Sequence, residues 1–435
     1  MNGAIASPVV LAWSQFGPYH MDRCEALAMA LAGQREVIGI ELVSQAEVYD
    51  WAPTGVGQAF RKLTLFPGQR LSQVAIWRQL AVLFRTCRRT RASHIFLCDY
   101  YLPQIFITAL LLRLLGRRVI IMQDSKFDDR PRSLWRELGK ALLYLPYNAA
   151  FVGSRRSKSY LEFLGKPASR VVIGYDTVSL RRLQGLAGAA PAPEGTAYAE
   201  RHFTVIARFV PQKNLDLALD AYASYRRRCS DHPRELRLCG AGPLEDALKA
   251  HVARSGIAGV RFCGWLDEAA VARTLASSLA LILPSIEEPF GLVVNEAIAL
   301  GVPVLVSENC GARDLLVRSG VNGYMVEPDN ADGLAYLMGL FANDEREWRR
   351  MAANAQEFQA LADTAYFVAG VKELLDPLDG RRTGRPAPAY VAPIDRPPDH
   401  PSLTVLGSRD SCEHLELPLR PQIVDSGPST TIAFE

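Results

Sequence analysis

Short runs of β-branched and other apolar residues alternate with longer segments of helical period along most of this chain. In the first half, helices are predicted at Asp22 to Ala32 and Leu71 to Arg85. The predicted strands of this half are Pro8 to Trp13, Glu36 to Leu42, His94 to Cys98, Arg118 to Met122, Ala149 to Gly153 and Val171 to Ile173. Such alternation is typical of a parallel sheet with helices on both faces, so the sequence predicts an α/β fold.

A second series of the same kind follows the segment Gly185 to Ala199, whose Ala, Gly and Pro content is typical of a linker. Its predicted strands are Phe203 to Ile206, Glu235 to Cys239, Val260 to Phe262, Ala280 to Leu283, Val304 to Val306 and Gly323 to Val326. Its predicted helices are Leu215 to Arg227, Leu244 to Arg254, Glu268 to Ser278, Leu292 to Leu300, Ala331 to Asn343 and a closing stretch of about Glu345 to Leu375. The two halves therefore look like two copies of one architecture.

The domain organisation follows from this pattern. At 435 residues the chain is too long for one ordinary core. We expect an N-terminal domain over residues 1–182, a linker over 183–199 and a C-terminal domain over 200–358. A helix over 359–377 is expected to cross back to the N-terminal domain. The remainder, 378–435, is rich in Pro and Arg and is expected to be disordered.

The formal net charge of +3 is too close to balance to indicate nucleic-acid binding. The charge is uneven, however, because no acidic residue lies between Asp50 and Asp99. The cations of that stretch are Arg61, Lys62, Arg70, Arg78, Arg85, Arg88, Arg89 and Arg91. They form either a patch that faces anionic lipid or an anionic acceptor, or a solvated helix face.

The cysteines and the apolar segments indicate a cytoplasmic protein. Eight cysteines are scattered without a C-x-x-C pair, which is typical of reduced core thiols rather than of disulfides or a zinc site. The N-terminus lacks the pattern of a signal peptide. The longest apolar stretch, IFITALLLRLLG, is too short to span a bilayer and contains Arg113. Any contact with the inner membrane is therefore expected to be peripheral.

The segment SIEEPFGLVVNEA, from Ser285 to Ala297, predicts a ligand site. An apolar run precedes it, so we interpret it as the loop and helix N-terminus at the carboxyl end of a strand, where α/β sheets bind ligands. Free N–H groups at a helix start suit phosphate, and carboxylates such as Glu288 and Glu296 accept hydrogen bonds from hydroxyls. Pro289 restricts the turn, and Gly291 lets the backbone approach a ligand. Together these features suggest a sugar nucleotide. Taken singly, Glu288 is also explained as a charge favoured by the helix dipole, and Glu296 as a surface residue.

Two cations lie upstream in the segment ARFVPQKN. Arg208 follows a predicted strand, and Lys213 lies five residues further on. If the turn folds back, both cations reach one point and can neutralise a departing diphosphate. The alternative is a pair of solvent-facing charges.

These motifs resemble those of the retaining GT-B glycosyltransferases of family 4, also called glycosyl transferases group 1. The resemblance rests on EPFGLVVNEA, on the GVPVLV strand and on GVNGYMV, together with CGAGPLED and VRFCGWLD upstream. It covers most of Thr204 to Asn330, whereas the first half matches only as architecture. It implies two Rossmann-like domains that face each other across a cleft. It also implies transfer of a sugar from a UDP- or GDP-linked donor to an acceptor hydroxyl, with no metal and no further cofactor.

By the same resemblance, the segment from Glu288 onwards holds the donor sugar and its phosphates. Glu288 would bind sugar hydroxyls, and the backbone of Phe290 and Gly291 would also face the sugar. The amides of Leu292 and Val293 would meet the phosphates.

Three other parts of the C-terminal half would also bind the donor. Glu296 would hold the ribose hydroxyls. Arg208 and Lys213 would clamp the diphosphate. The backbone around Gly264 and Trp265 would frame the base.

The N-terminal half departs from the family pattern. Its first loop, WSQFGPYHMDR, has Gly17 as its only glycine, which we assign to the donor phosphate. His20 is either an acceptor or phosphate ligand or a structural cap. Asp124 stands after a strand where many relatives place a histidine, and it is predicted to orient or deprotonate the acceptor hydroxyl or to stabilise the sugar cation. Asp128 and Asp129 are weaker candidates, and all three are alternatively turn and cap residues.

Two further departures lie elsewhere, because Asp314 replaces a usual Glu and the segment ending at Asp176 lacks its Asn. The expected acceptor is a bacterial cell-surface glycan or a lipid-linked intermediate. A sugar-nucleotide epimerase of related fold and a non-catalytic scaffold protein remain alternatives.

Overall fold

Two parallel sheets form the framework, one in each half of the chain. The computed structural model describes residues 6–45, 54–129, 132–228 and 232–375. The first sheet has seven strands in the order β3-β2-β1-β4-β5-β6-β7, and the second has six in the order β10-β9-β8-β11-β12-β13. Helices interleave with the strands of both sheets. The predicted pair of Rossmann-like domains is therefore confirmed, whereas the predicted tail over 378–435 lies outside the described residues.

The first domain contains seven strands and six helices. The strands are β1 (Ala6–Trp13), β2 (Arg35–Val43), β3 (Arg61–Phe66), β4 (His94–Leu97), β5 (Arg118–Gln123), β6 (Ala149–Val152) and β7 (Val171–Ile173). The helices are α1 (Pro18–Ala30), α2 (Ile76–Arg89), α3 (Pro103–Leu114), α4 (Leu134–Leu143), α5 (Arg155–Phe163) and α6 (Leu180–Ala187).

Four elements of the first domain differ from the prediction. Strand β3 was not predicted, because it is an edge strand that begins with two cations. Helix α1 begins at Pro18 rather than at Asp22, since proline is well suited to the first helical position. Helix α2 begins only at Ile76, after a short 3-10 turn. Helix α6 also takes in the first residues of the segment assigned to a linker, and it ends at Gly188 in the left-handed conformation.

The second domain contains six strands and most of the remaining helices. The strands are β8 (His202–Ile206), β9 (Leu236–Cys239), β10 (Val260–Gly264), β11 (Ser278–Leu283), β12 (Val304–Ser307) and β13 (Gly323–Val326). The helices are α7 (Leu215–Arg228), α8 (Glu245–Arg254), α9 (Glu268–Ala276), α10 (Leu292–Ala299), α11 (Arg313–Leu316), α12 (Ala331–Asn343), α13 (Glu345–Glu357), α14 (Gln359–Ala362) and α15 (Thr364–Leu375). Each predicted strand of this half is present within two residues at either end.

The helices divide between the two faces of the first sheet. Inward side chains of α2, α3 and α5 share one core cluster, whereas α1 and α15 share the cluster on the opposite face. Helix α15 contributes Phe367 and Val371 to that cluster, next to Val9 and Phe151 of the sheet. The described chain therefore ends against the first domain.

Each sheet has one point at which the strand order reverses. In the first sheet it lies between β1 and β4, and in the second between β8 and β11. Ligands of open α/β sheets bind outside the carboxyl ends of the strands at such a point. The loops after these four strands therefore define where a site is expected.

Candidate active site

Glu288 lies in the loop after β11, at the reversal point of the second sheet. Its side chain is buried, its carboxylate forms an ion pair with the ammonium of Lys213, and its Oε2 accepts a hydrogen bond of 3.1 Å from the hydroxyl of Ser285. The backbone is fixed as well, because the carbonyl of Glu288 accepts from the amide of Gly311 at 3.1 Å. The alternative interpretation of Glu288, as a charge favoured only by the helix dipole, does not explain its burial or its cationic partner.

Lys213 reaches Glu288 because the loop after β8 folds back. A 3-10 turn over Pro211–Lys213 is followed by Asn214 in the left-handed conformation. The side-chain Nδ2 of Asn214 donates to the carbonyl of Pro284 at 3.1 Å, which ties this turn to the end of β11. The loop thus folds back and places Lys213 against Glu288. The exposed Arg208 begins the same loop, and its convergence with Lys213 on one point stays a prediction.

Helix α10 begins directly after this loop. Gly291 is its N-cap, with φ at 99°. A Cβ at Gly291 would lie 3.1 Å from Sγ of Cys310 and 3.2 Å from Cγ of Glu288, so a side chain there would disturb the carboxylate. The first N–H groups of any helix lack intrahelical acceptors, and here they belong to Leu292 and Val293. An anion beside Glu288 would meet both these amides and the positive end of the helix dipole.

Glycines hold the loops after β8, β9 and β10 close together. A Cβ at Gly240 would lie 1.9 Å from the carbonyl oxygen of Ala207, and one at Gly242 would also meet the backbone of the β8 loop. The amide of Gly240 donates to the carbonyl of Gly264 at 2.8 Å. Trp265, the next residue, is 59% exposed at the same edge. The close approach explains the CGAGP motif, although the prediction gave Gly240 and Gly242 no role in the site.

Glu296 lies one turn into α10 and is buried rather than on the surface. Its Oε1 accepts a 2.5 Å hydrogen bond from the hydroxyl of Tyr19, in the first turn of α1. Burial raises the pKa of Glu296 to about 7, against the opposing effects of the Tyr19 hydrogen bond and of Arg182. Burial and the negative charge of Glu296 likewise raise the pKa of Tyr19 well above its usual range. This hydrogen bond links Glu296, the residue predicted to hold the ribose, to the first domain.

His20 acts as a cap of α1. Its Nδ1 accepts a 2.8 Å hydrogen bond from the amide of Gly17, and its ring packs against those of Trp13 and Phe16. Burial, helped by Arg23, lowers the pKa of His20 well below its usual range. The ring is therefore neutral at pH 7, with its proton on Nε2. The Nδ1 atom of His20 therefore takes part in capping α1, as one of the two interpretations expected, and Gly17 is the N-cap residue.

Asp124 follows β5 and interacts with a second carboxyl, Asp176. Burial, followed by the charge of Asp176 and a hydrogen bond with it, raises the pKa of Asp124 well above its usual range. The guanidinium of Arg23, itself buried, donates to Oδ1 of Asp176 at 3.2 Å. Within the described ranges, Oδ1 of Asp124 and Oδ2 of Asp176 are buried and accept no hydrogen bond from an N–H or hydroxyl group of the protein. One proton shared between the two carboxyls accounts for this arrangement.

Further contacts join the carboxyl edges of the two sheets. Arg156, at the start of α5, donates from Nε to Oδ1 of Asp314 at 3.0 Å, and it also pairs with Asp128. A Cβ at Gly153 would lie 2.2 Å from Oδ2 of Asp176 and 2.9 Å from the ring of Phe290. The Asp124–Asp176 pair and the Glu288 loop therefore approach each other at this glycine.

Two of the weaker candidates, Asp128 and Asp129, form ion pairs within the protein. Asp129 pairs with the buried Lys126, and Asp128 pairs with Arg156. In the described part of the chain, no three His, Cys, Asp or Glu side chains converge as a metal site requires. Likewise, none of the described helices is both long enough and apolar enough to cross a membrane.

Solved structures share this two-domain arrangement over most of the chain. HepE of Anabaena, in complex with UDP and glucose, has a TM-score of 0.62 and 17% sequence identity, over 85% of this chain and 99% of HepE. The fold is GT-B. The lipopolysaccharide outer core galactosyltransferase WaaB in its apo form gives a TM-score of 0.62 at 16% identity, over 85% of this chain and all of that chain.

The sequence comparisons concern mainly the second GT-B domain. Residues 191–358 match the model of the family described as glycosyl transferases group 1. An uncharacterized glycosyltransferase of Methanocaldococcus jannaschii is 30% identical over 33% of this chain and 36% of its own length. A phosphatidyl-myo-inositol mannosyltransferase of Mycobacterium leprae is 30% identical over 45% of this chain and 50% of its own length. An exopolysaccharide phosphotransferase of Streptomyces coelicolor is 28% identical over 61% of this chain and 27% of its own length.

The chain spans half or less of the length of each of these three relatives. Together with the fold, the matches support a GT-B glycosyltransferase of group 1.

Proposed function

We propose that this protein is a retaining, metal-independent glycosyltransferase of family 4. It would transfer a hexosyl group from a nucleotide diphosphate sugar to an acceptor hydroxyl. The observation that carries the proposal is the buried pair of Glu288 and Lys213 beside the N-terminus of α10, at the reversal point of the second sheet. At this point a carboxylate that can bind sugar hydroxyls lies beside a cation and free helix amides that can bind phosphate.

The donor would lie across the carboxyl edge of the second sheet. Its phosphates would bind the amides of Leu292 and Val293 and the cations Arg208 and Lys213. The sugar would bind Glu288, with the backbone of Phe290 and Gly291 beside it. The complexes of HepE with UDP and with UDP-glucose favour a UDP-linked donor.

The nucleoside would bind further along the same edge. Glu296 would accept hydrogen bonds from the ribose, and the backbone of Gly264 and Trp265 would frame the base. Gly17, across the cleft, would face the donor phosphate.

In the reaction, the bond from the anomeric carbon to the diphosphate oxygen breaks, and a bond to the acceptor oxygen forms. The acceptor proton passes to the departing diphosphate, on the same face of the sugar, which gives retention. Lys213 and Arg208 stabilise the negative charge that develops on the diphosphate. Closure of the two domains excludes water and so suppresses hydrolysis of the donor.

The acceptor would bind to the first domain, near Asp124 and His20. The carboxyl of Asp124, which shares its proton with Asp176, would accept a hydrogen bond from the acceptor hydroxyl and so orient it. The Nε2 proton of His20 would serve as a hydrogen-bond donor. A cell-surface glycan or a lipid-linked intermediate is the proposed acceptor class, in keeping with the names of the Streptomyces and WaaB proteins.

The test is a pair of substitutions at neighbouring carboxylates. Glu288→Gln should reduce transfer from UDP- or GDP-sugars by about 100-fold or more, because it removes the charge opposite the sugar and Lys213. Glu287→Gln, one residue earlier, should leave transfer within about threefold of the wild type. Circular dichroism would show that both variants fold. Undiminished transfer by the Glu288→Gln variant would refute the assignment, and release of an epimerised sugar nucleotide would indicate an epimerase.

A further inference from the structure

Helix α4 exposes its apolar side and buries its polar side. Trp135 is 81% exposed and Leu142 is 63% exposed, whereas Glu137 is only 5% exposed. The other exposed apolar residues of this segment are Leu134, Leu138 and Leu145. A helix on the surface of a soluble domain normally has the opposite arrangement, with its apolar stripe towards the core.

A polar network holds α4 in this orientation. The carboxylate of Glu137 accepts hydrogen bonds from the hydroxyl of Tyr160 on α5 and from Nη1 of Arg132, the latter at 3.2 Å. The ammonium of Lys140 donates to the same tyrosine hydroxyl at 2.9 Å. Buried, charge-assisted hydrogen bonds are costly to break. The outward direction of the leucines and of Trp135 is therefore fixed by the fold.

Helix α3 extends the apolar area. It connects β4 to β5, and α4 connects β5 to β6, so the two helices are neighbours on one face of the sheet. The exposed apolar residues at α3 and its end are Ile107, Leu110, Leu114 and Leu115. We call these four residues and the five exposed apolar residues of the α4 segment the α3–α4 surface.

The charge around this surface is positive. The sequence from Tyr100 to Gln123 contains three arginines, at 113, 117 and 118, and no acidic residue. Helix α4 adds Arg136 and Lys140, and its one acidic residue, Glu137, is turned inwards. A second copy of the chain docked symmetrically here would bring like charges together. An anionic surface would be attracted.

We propose that the α3–α4 surface lies on an anionic phospholipid membrane. Trp135 and the leucines would enter the boundary between headgroups and acyl chains, and the arginines would contact lipid phosphates. The basic run predicted from the sequence is not this surface. Lys62, for example, is largely buried in an ion pair of 2.8 Å with Glu41.

The α3–α4 surface adjoins the cleft. Arg132, just before α4, donates to the carbonyls of Lys126 and Phe127 in the loop that follows Asp124. A membrane in this position would present a lipid-linked hydroxyl on the side of the cleft where Asp124 lies. This last step rests on the proposed function, whereas binding to the membrane does not.

The test is flotation of the full-length protein with phosphatidylcholine vesicles that contain or lack phosphatidylglycerol. We expect binding to the anionic vesicles only, with an affinity that falls as salt is raised. The double variant Trp135→Gln/Leu142→Gln should bind roughly tenfold more weakly or worse, because both side chains enter the lipid. Tyr336→Gln, which changes an exposed aromatic residue on α12 of the other domain, should bind as the wild type does.

Three results would overturn the proposal. The first is equal vesicle binding by the double variant and the wild type, and the second is no wild-type binding to anionic vesicles. The third is a dimer in sedimentation velocity that the double variant dissociates, which would assign the α3–α4 surface to a second copy. The thermal shift caused by UDP should be the same for the double variant and the wild type. If UDP caused no thermal shift in the wild type, that result would count against the proposed function and not against membrane binding.

Discussion

The hydroxyl of Tyr19 donates a 2.5 Å hydrogen bond to Oε1 of Glu296, although 277 positions separate the two residues in the sequence. Tyr19 lies in the first turn of α1, at the carboxyl edge of the first sheet, and Glu296 lies in α10, at the carboxyl edge of the second. A hydroxyl of the protein thus occupies the carboxylate oxygen that the proposed function assigns to ribose. The contact also links the two domains across the cleft.

Nucleotide binding is therefore predicted to compete with Tyr19. In the Tyr19→Phe variant, no tyrosine hydroxyl has to leave Glu296 before the ribose can bind it. UDP or the preferred nucleoside diphosphate should therefore bind up to roughly tenfold more tightly. Isothermal titration calorimetry measures the change. Weaker binding by this variant would show instead that Tyr19 is part of the nucleotide site. Tyr336→Phe, on the surface of the second domain, is the matched control and should bind as the wild type does.

The raised pKa of Glu296 predicts a dependence of stability on pH. Burial raises this pKa from 4.5 to about 7, so between these values the folded chain holds a proton that the unfolded chain has released. The free energy of unfolding then falls as the pH rises through this window, by about 3 kcal/mol. Glu296→Gln removes this contribution, so the variant should gain stability relative to the wild type from pH 4.5 to pH 8. Urea denaturation at several pH values tests this, and a constant difference between the two proteins would contradict it.

The state of Asp124 predicts which substitutions its position tolerates. Because its carboxyl shares a proton with Asp176, Asp124→Asn keeps a hydrogen-bond donor of the same size towards Asp176 and an oxygen that can accept from the acceptor hydroxyl, and it should retain transfer within about tenfold. Asp124→Ala should lose about 100-fold. Steady-state kcat/KM for both variants, at saturating acceptor where possible, is the measurement. A loss of about 100-fold or more in the Asn variant would mean that Asp124 acts as an ionised base.

The link between Arg156 and Asp314 predicts a role in domain closure. Arg156→Ala removes a guanidinium that contacts the second domain at Asp314 and at the carbonyls of Glu308 and Cys310. KM for the donor should rise severalfold, while the melting temperature of the protein changes by only a few degrees. Arg155→Ala, one residue earlier, serves as the control. Unchanged kinetics in the Arg156 variant would show that this link does not contribute to closure.

Much of the fold was predictable because the buried parallel strands consist of continuous apolar runs in the sequence. All six predicted strands of the second domain are present. Strand β3 was not predicted, because at the sheet edge its Arg61 and Lys62 look like surface cations. The structure instead pairs Lys62 with Glu41, a partner that no local pattern indicates.

The local geometry around the candidate site was predictable where its residues are close in sequence. The loop of Glu288, the start of α10 at Leu292 and the fold-back of the chain at Lys213 follow from local spacing and turn chemistry, whereas the ligands assigned to these residues stay predictions. Tyr19 and Asp176 were not predicted as partners, since each meets its carboxyl across a long stretch of chain. Tyr19 looks like an ordinary residue of a helix start. Asp176 belongs to a segment already recognised as unusual, which was the one available signal.

The most direct test of the central claim is calorimetric titration of UDP and GDP into the wild type and the Lys213→Ala variant, in a buffer with EDTA. The account predicts one nucleoside diphosphate site in the wild type that does not require a metal. It also predicts affinity about ten- to a hundredfold weaker in the variant, because a cation facing the diphosphate is lost. Failure of both nucleotides to bind the wild type, or equal affinity in the two proteins, would contradict the assignment of the Glu288–Lys213 region as a donor site.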